Sequence, residues 1–115
     1  LKAGARPIAS NAIVSPADGK VSQSGPVREG RIIQAKGMDF SVEELLGDAT
    51  EAALYEGGQF ATIYLSPRDY HRVHMPLAGA LRRSTHIPGR LFSVAPKIVE
   101  SIPRLYARNE RLCLL

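Results

Sequence analysis

Two of the three histidines fall in one short stretch, Tyr64-Leu65-Ser66-Pro67-Arg68-Asp69-Tyr70-His71-Arg72-Val73-His74-Met75-Pro76. These side chains move protons and hold anions: imidazole titrates near neutral pH, and guanidinium binds carboxylate or phosphate. Ser66-Pro67-Arg68-Asp69 predicts a helix start, with Ser66 as N-cap, Pro67 at the first helical position and Asp69 near the positive end of the turn. Val73 and Pro76 favour an extended chain beyond it. His71 is thus expected on a one-turn helix or its exit and His74 on the strand that follows, so the two imidazoles point to different places. A His-x-x-His pair without the glutamate of His-Glu-x-x-His is a weak metal signal. A single histidine is more often a partly buried, hydrogen-bonded side chain than a reactive one.

The elements around this stretch read mainly as β (α+β): antiparallel sheets with one or two short helices. The run Gln59–Leu65 leads into the histidines as a strand, with Ala61, Ile63 and Leu65 on one face and Phe60, Thr62 and Tyr64 on the other. Upstream, Ala12-Ile13-Val14 and Lys20–Ser24 predict a hairpin with Asp18 at its tip, broken by Gly25-Pro26. Asp before Gly is a frequent turn pair, so turn chemistry alone accounts for Asp18 at this point. Arg31–Lys36 reads as a strand ended by Gly37. Ser41-Val42-Glu43-Glu44 is a capping box opening a short helix that Gly47 stops, and Glu51–Tyr55 adds further helix. Downstream come a strand over Ala80–Ile87 with His86 at its surface end, a loose turn between Pro96 and Pro103, and a final strand Arg111–Leu115.

Length and composition narrow the possibilities. The 115 residues suit one domain with a modest core. With 44% hydrophobic and 23% charged residues, the chain has an ordinary globular composition rather than a disordered one. Its single cysteine, Cys113, leaves no internal disulfide or cysteine-rich zinc site and reads as a small buried hydrophobe. No apolar run approaches the ~20 residues that span a bilayer, and no signal peptide is visible. The chain starts without Met and closes on an apolar strand, so both ends read as cut and the chain as a piece of a longer protein.

Charge is unevenly placed. Residues 1–57 carry six basic and eight acidic side chains, net −2, whereas residues 58–115 carry nine and three, net +6. A basic half points to an anionic partner. Nucleic acid is disfavoured because no aromatics interleave with the basic residues. An anionic membrane surface fits better, and an ordinary solvated basic face is its competitor.

Four stretches carry a family resemblance. Ser66-Pro67-Arg68-Asp69-Tyr70-His71-Arg72-Val73-His74-Met75-Pro76 closely resembles the signature of phosphatidylserine decarboxylases, pyruvoyl-dependent enzymes that make phosphatidylethanolamine. Pro16-Ala17-Asp18-Gly19 resembles a second signature, Leu91-Phe92-Ser93-Val94 a third and Ala107-Arg108-Asn109-Glu110-Arg111 a fourth, all in the family's order. The resemblance implies a proenzyme that cuts itself at a Gly-Ser bond in a Leu-Gly-Ser-Thr motif, that serine becoming the pyruvoyl group. The motif does not occur in these residues, which would correspond to part of the catalytic domain on the β-chain side. By resemblance, Asp18 and His74 are the acid and base of self-cleavage, on the logic of a carboxylate orienting an imidazole beside a serine. His71 is implied as proton donor once the pyruvoyl carbonyl has drawn off the electrons released with carbon dioxide. Arg72 and Tyr64 are candidates to hold the substrate, and no metal is implied. The implied partners are phosphatidylserine, an anionic membrane surface and a pyruvoyl-bearing α chain. The implied location is peripheral, on the cytoplasmic side of a bacterial-type cell membrane. One departure stands out: Ala95 follows Leu-Phe-Ser-Val, where the family often has Asn.

Two other readings compete. A non-catalytic lipid-binding relative on the same scaffold would lack the Gly-Ser bond. A metal-dependent hydrolase would bring His71, His74 and Asp69 together.

Overall fold

The computed structural model describes residues 1–115. The elements run β1 (Lys20–Pro26), β2 (Arg31–Ala35), β3 (Met38–Ser41), α1 (Val42–Leu46), α2 (Ala49–Ala53), β4 (Gln59–Tyr64), β5 (Ser84–Ile87), α3 (Pro96–Val99), α4 (Leu105–Arg108) and β6 (Arg111–Leu114). The strands form three antiparallel pairs, β1–β4, β2–β3 and β5–β6. The mainly β, antiparallel character expected from the turn-rich sequence is therefore present, with four helices of no more than five residues in place of one or two.

The β2–β3 pair and the short helices make the densest part of the molecule. β2 alternates Ile32 and Gln34 inward with the exposed Ile33, and returns through Lys36-Gly37, where Gly37 takes a left-handed φ of 74° that favours glycine. Ile32, Phe40, Val42, Val27 and Ala52 form the core, with Leu45, Leu46, Phe60 and Tyr106 packed against it. Burying a side chain such as Phe40, only 1% exposed, stabilises by about 1.5–3 kcal/mol.

A polar side chain sits in this core. Gln34, 1% exposed, donates from Nε2 to the carbonyls of Val99 (2.8 Å) and Ile102 (2.7 Å). Its Oε1 accepts the Leu105 N–H at 2.8 Å. One amide thus fastens the end of α3 and the start of α4 to β2, and with all three groups satisfied its burial is tolerated.

The capping box is half-formed. Ser41 Oγ accepts the Glu44 N–H at 2.9 Å, and Gly47 closes α1 in the left-handed region. The Glu44 carboxylate turns away to pair with Arg104 at 2.8 Å. Asp48 caps α2 by accepting the Glu51 N–H, which starts that helix two residues before the expected Glu51.

Several expectations near the site need correction. Ala12-Ile13-Val14 is not a strand, and Lys20–Ser24 does not fold back on it. β1 runs on through Gly25-Pro26 and pairs instead with β4, Lys20 opposite Tyr64. Proline is accommodated because it is the terminal residue of a strand paired on one side only. Ser66–Asp69 closes a single turn, Asp69 N–H to Ser66 O at 2.9 Å, and no helix follows. The cap is reversed: the Asp69 carboxylate accepts the Ser66 N–H at 2.7 Å. Residues 70–76 form no strand, so neither histidine sits on a regular element. β5 is shorter than Ala80–Ile87, beginning at Ser84.

Candidate active site

Asp18 reaches the site through Gly19. A Cβ on Gly19 would lie 2.5 Å from the Tyr64 carbonyl oxygen and 2.8 Å from Ile63 Cγ2. Only glycine lets the backbone pass that close to β4, so its role is close approach rather than the turn conformation expected from Asp-Gly. This brings Asp18 to the end of β4 from which the histidine stretch departs.

Two backbone bonds then clasp that stretch to the segment before Asp18. His74 N–H donates to Pro16 O at 2.7 Å, and Val14 N–H donates to Pro76 O at 3.0 Å. Together they run in antiparallel order and bring residues 56 positions apart to one place. Asp18 and His74 both line an open cavity of about 410 Å³, together with Arg6, Ser15, Pro16 and Met75.

Within this cavity the carboxylate and the imidazole have separate partners. Arg6 Nε donates to Asp18 Oδ2 at 2.6 Å, and Arg6 Nη2 bonds the same oxygen. The Arg6 hydrogen bond holds the Asp18 carboxyl below its usual range, opposed by desolvation and aided by the charges of Arg6 and His74. His74 Nε2 shares a 3.0 Å hydrogen bond with the Tyr70 hydroxyl, and the two rings stack 5.6 Å apart at 16°. No hydrogen bond joins Asp18 to His74. They share a cavity and an electrostatic interaction.

His71 lies elsewhere. Its Nε2 donates to Ser66 O at 2.8 Å, a carbonyl acceptor that fixes the proton on that nitrogen. It lines a second cavity of about 330 Å³ with Thr62, Tyr64, Leu65, Val94 and Tyr106. The two imidazoles therefore face different cavities, with Tyr64 beside His71. Arg72 is exposed, makes no ion pair and lines neither cavity. Asp69, His71 and His74 each have their own partner and do not converge, so the geometry of a three-ligand hydrolase site is not formed.

Side chains of the third and fourth motifs bond to the backbone, and Val94 of the third also lines the His71 cavity. The Asn109 side chain accepts the Phe92 N–H at 2.8 Å and donates to Phe92 O at 2.9 Å, mimicking a strand partner. Arg111 donates to the carbonyls of Leu45 (2.6 Å) and Glu44 (2.8 Å), which α1 leaves open at its end. Ala95 is the N-cap of α3 and has no side chain to cap it. Arg6 and Tyr70 were not singled out from the sequence. Nothing in local spacing links Arg6 to Asp18 or to Tyr70.

Similarity to known proteins agrees with the four motifs. A sequence model of the family described as phosphatidylserine decarboxylase matches residues 1–115. The phosphatidylserine decarboxylase proenzyme of Xylella fastidiosa (strain M23) is 61% identical over 114 residues, covering 97% of this chain and 39% of that protein. That of Azotobacter vinelandii is 61% identical over 118 residues, covering 100% of this chain and 41% of its own length. That of Bordetella avium is 61% identical over 115 residues, covering 97% and 39%. The chain thus spans about 40% of the length of these curated relatives.

Proposed function

The chain belongs to the phosphatidylserine decarboxylase family, and from that premise we propose that the protein it comes from is a self-cleaving proenzyme that decarboxylates phosphatidylserine to phosphatidylethanolamine. These residues are its catalytic-domain portion on the β-chain side. The observation that carries the reading is that Asp18 and His74, far apart in sequence, line one open cavity.

The family's prosthetic group is a pyruvoyl, whose carbonyl serves as an electron sink when it is in place. The cavity suits the serine from which such a group is made. It offers an imidazole with Nδ1 free of partners, a carboxylate held ionised beside it, and an open mouth for a peptide from the α chain. His74 takes the hydroxyl proton, and the Asp18 charge stabilises the imidazolium that results. His71, with its Nε2–H engaged by Ser66 O, acts as the imidazolium and gives its Nδ1 proton to the substrate carbon from the second cavity, returning to the neutral ring. Tyr64 lines that cavity, and the unpaired Arg72 guanidinium is available to the anionic head group.

A membrane surface is the proposed place of work, on the cytoplasmic side. No helix is long and apolar enough to cross a membrane. The irregular stretch after β4 exposes Val73, Met75, Leu77 and Leu81 close in sequence to Arg68 and Arg72. Each such cation gains about 1 kcal/mol near anionic lipid. Arg82 and Arg83 add less, because Glu51 and Asp48 already pair with them.

The test uses the full-length gene, with a gel for the two chains and product formation for the cleaved enzyme. His74→Ala should block self-cleavage. His71→Ala should cleave but decarboxylate about 10²–10⁴-fold more slowly, the usual contribution of a general acid. Equal loss of cleavage in both variants would contradict the division of labour, and loss in neither would place the base elsewhere.

A further inference from the structure

We propose that Arg6 is a positioning residue of the self-cleavage site, fixing the Asp18 carboxylate and, through Tyr70, the charge that His74 faces. This rests on the reading that Asp18 and His74 carry self-cleavage.

The geometry is a chain of contacts from one member of the pair to the other. Two nitrogens of Arg6 bond a single oxygen of Asp18, Oδ2, leaving Oδ1 without a side-chain donor. The Arg6 guanidinium carbon lies 4.7 Å from the centre of the Tyr70 ring, a cation–π distance. Tyr70 in turn stacks on His74 and shares a hydrogen bond with its Nε2. Carboxylate, guanidinium, phenol and imidazole are thus built as one cluster, and Arg6 is its only permanent cation.

The charge has a predictable consequence. An ionised carboxylate beside an imidazole favours the protonated ring, raising the pH needed to free it. A guanidinium bonded to that carboxylate offsets part of this effect at the ring, leaving the Asp18 charge still favourable to the imidazolium. Asp18, Arg6 and His74 are the charged or titratable side chains lining the cavity, which Leu1 also lines. Tyr70 faces the ring from its own segment, and Arg72, two residues along, is exposed. No other ionisable side chain lines the cavity to substitute for Arg6.

The experiment measures the rate of self-cleavage against pH for the full-length proenzyme, made by cell-free synthesis as wild type, Arg6→Gln, Arg6→Lys and His74→Ala. Arg6→Gln should move the acid limb of the profile upward by about one pH unit, so that below the limb cleavage is roughly tenfold slower. Arg6→Lys keeps the charge and should leave the limb where it is. A purely structural Arg6 would lower the rate at every pH without moving the limb, and that result overturns the proposal. So does a wild-type profile for Arg6→Gln, or an equal shift for Arg6→Lys. Blocked cleavage in His74→Ala with an unmoved limb in Arg6→Gln would defeat the Arg6 role alone. Normal cleavage by His74→Ala would defeat the reading beneath it.

Discussion

The two halves of the site's surroundings are held in different ways. Around Gln34, β2, β3 and the four short helices are tied by buried apolar contacts and by side chains that close open backbone groups: Gln34, Asn109 and Arg111. Asp18, His71, Arg72 and His74 lie on irregular segments, 14–19 and 66–76, held by two backbone bonds, one glycine contact and the Arg6–Tyr70 cluster. The difference teaches that this scaffold is stabilised away from the proposed chemistry and carries the candidate reactive groups on lightly held chain. Such loops can adapt to an incoming peptide, as functional loops on rigid scaffolds do.

That contrast breaks most visibly at Phe40. Phe40→Ala should destabilise the protein by about 3–5 kcal/mol in chemical denaturation, since a fully buried ring leaves a cavity. The loss should appear as poor folding rather than as a change in chemistry. A cost below about 1 kcal/mol would mean that the core is not centred there.

Gly19→Ala tests the other half. The added Cβ collides with the Tyr64 carbonyl, so the Asp18 segment must lift off β4. Overpacking of this kind costs about 1–3 kcal/mol. Self-cleavage of the full-length protein should fall by more than the loss of folded protein explains. Unchanged cleavage would show that Asp18 does not depend on this close approach.

How much of this was legible in the sequence follows the same division. Ser41 and Gly47 bound α1 as expected, because caps are local chemistry. β4 was legible from its alternation. The pairing of β1 with β4 was not, because the apolar Ala12-Ile13-Val14 suggested a nearer partner and nothing local encodes a partner some forty residues away. α4 escaped notice because it is four residues long, has no capping side chain, and begins from Arg104 in the left-handed region. The motif residues Asp18, His71 and His74 were visible by resemblance. Arg6 was not, since a salt bridge across twelve residues of irregular chain leaves no periodic trace.

The smallest effect concerns Ala95. Asn at this N-cap would accept a backbone N–H in the first turn of α3, which Ala cannot do. Ala95→Asn should therefore stabilise by up to about 1 kcal/mol, read as a small rise in the denaturation midpoint, with self-cleavage unchanged. A loss of stability would show that the α3 entry cannot accommodate the side chain.

The central claim is that Asp18 and His74 act as one unit, and a double-mutant cycle on self-cleavage tests it most directly. Residual rates are measured for full-length Asp18→Ala, His74→Ala and the double variant, from gels of the two chains timed over incubations long enough to detect the slow cleavage that remains. If the carboxylate works only through the imidazole, the double variant cleaves no more slowly than His74→Ala, because removing the base already removes what Asp18 supports. If instead the two losses multiply, the residues contribute independently and the shared cavity does not make them a pair.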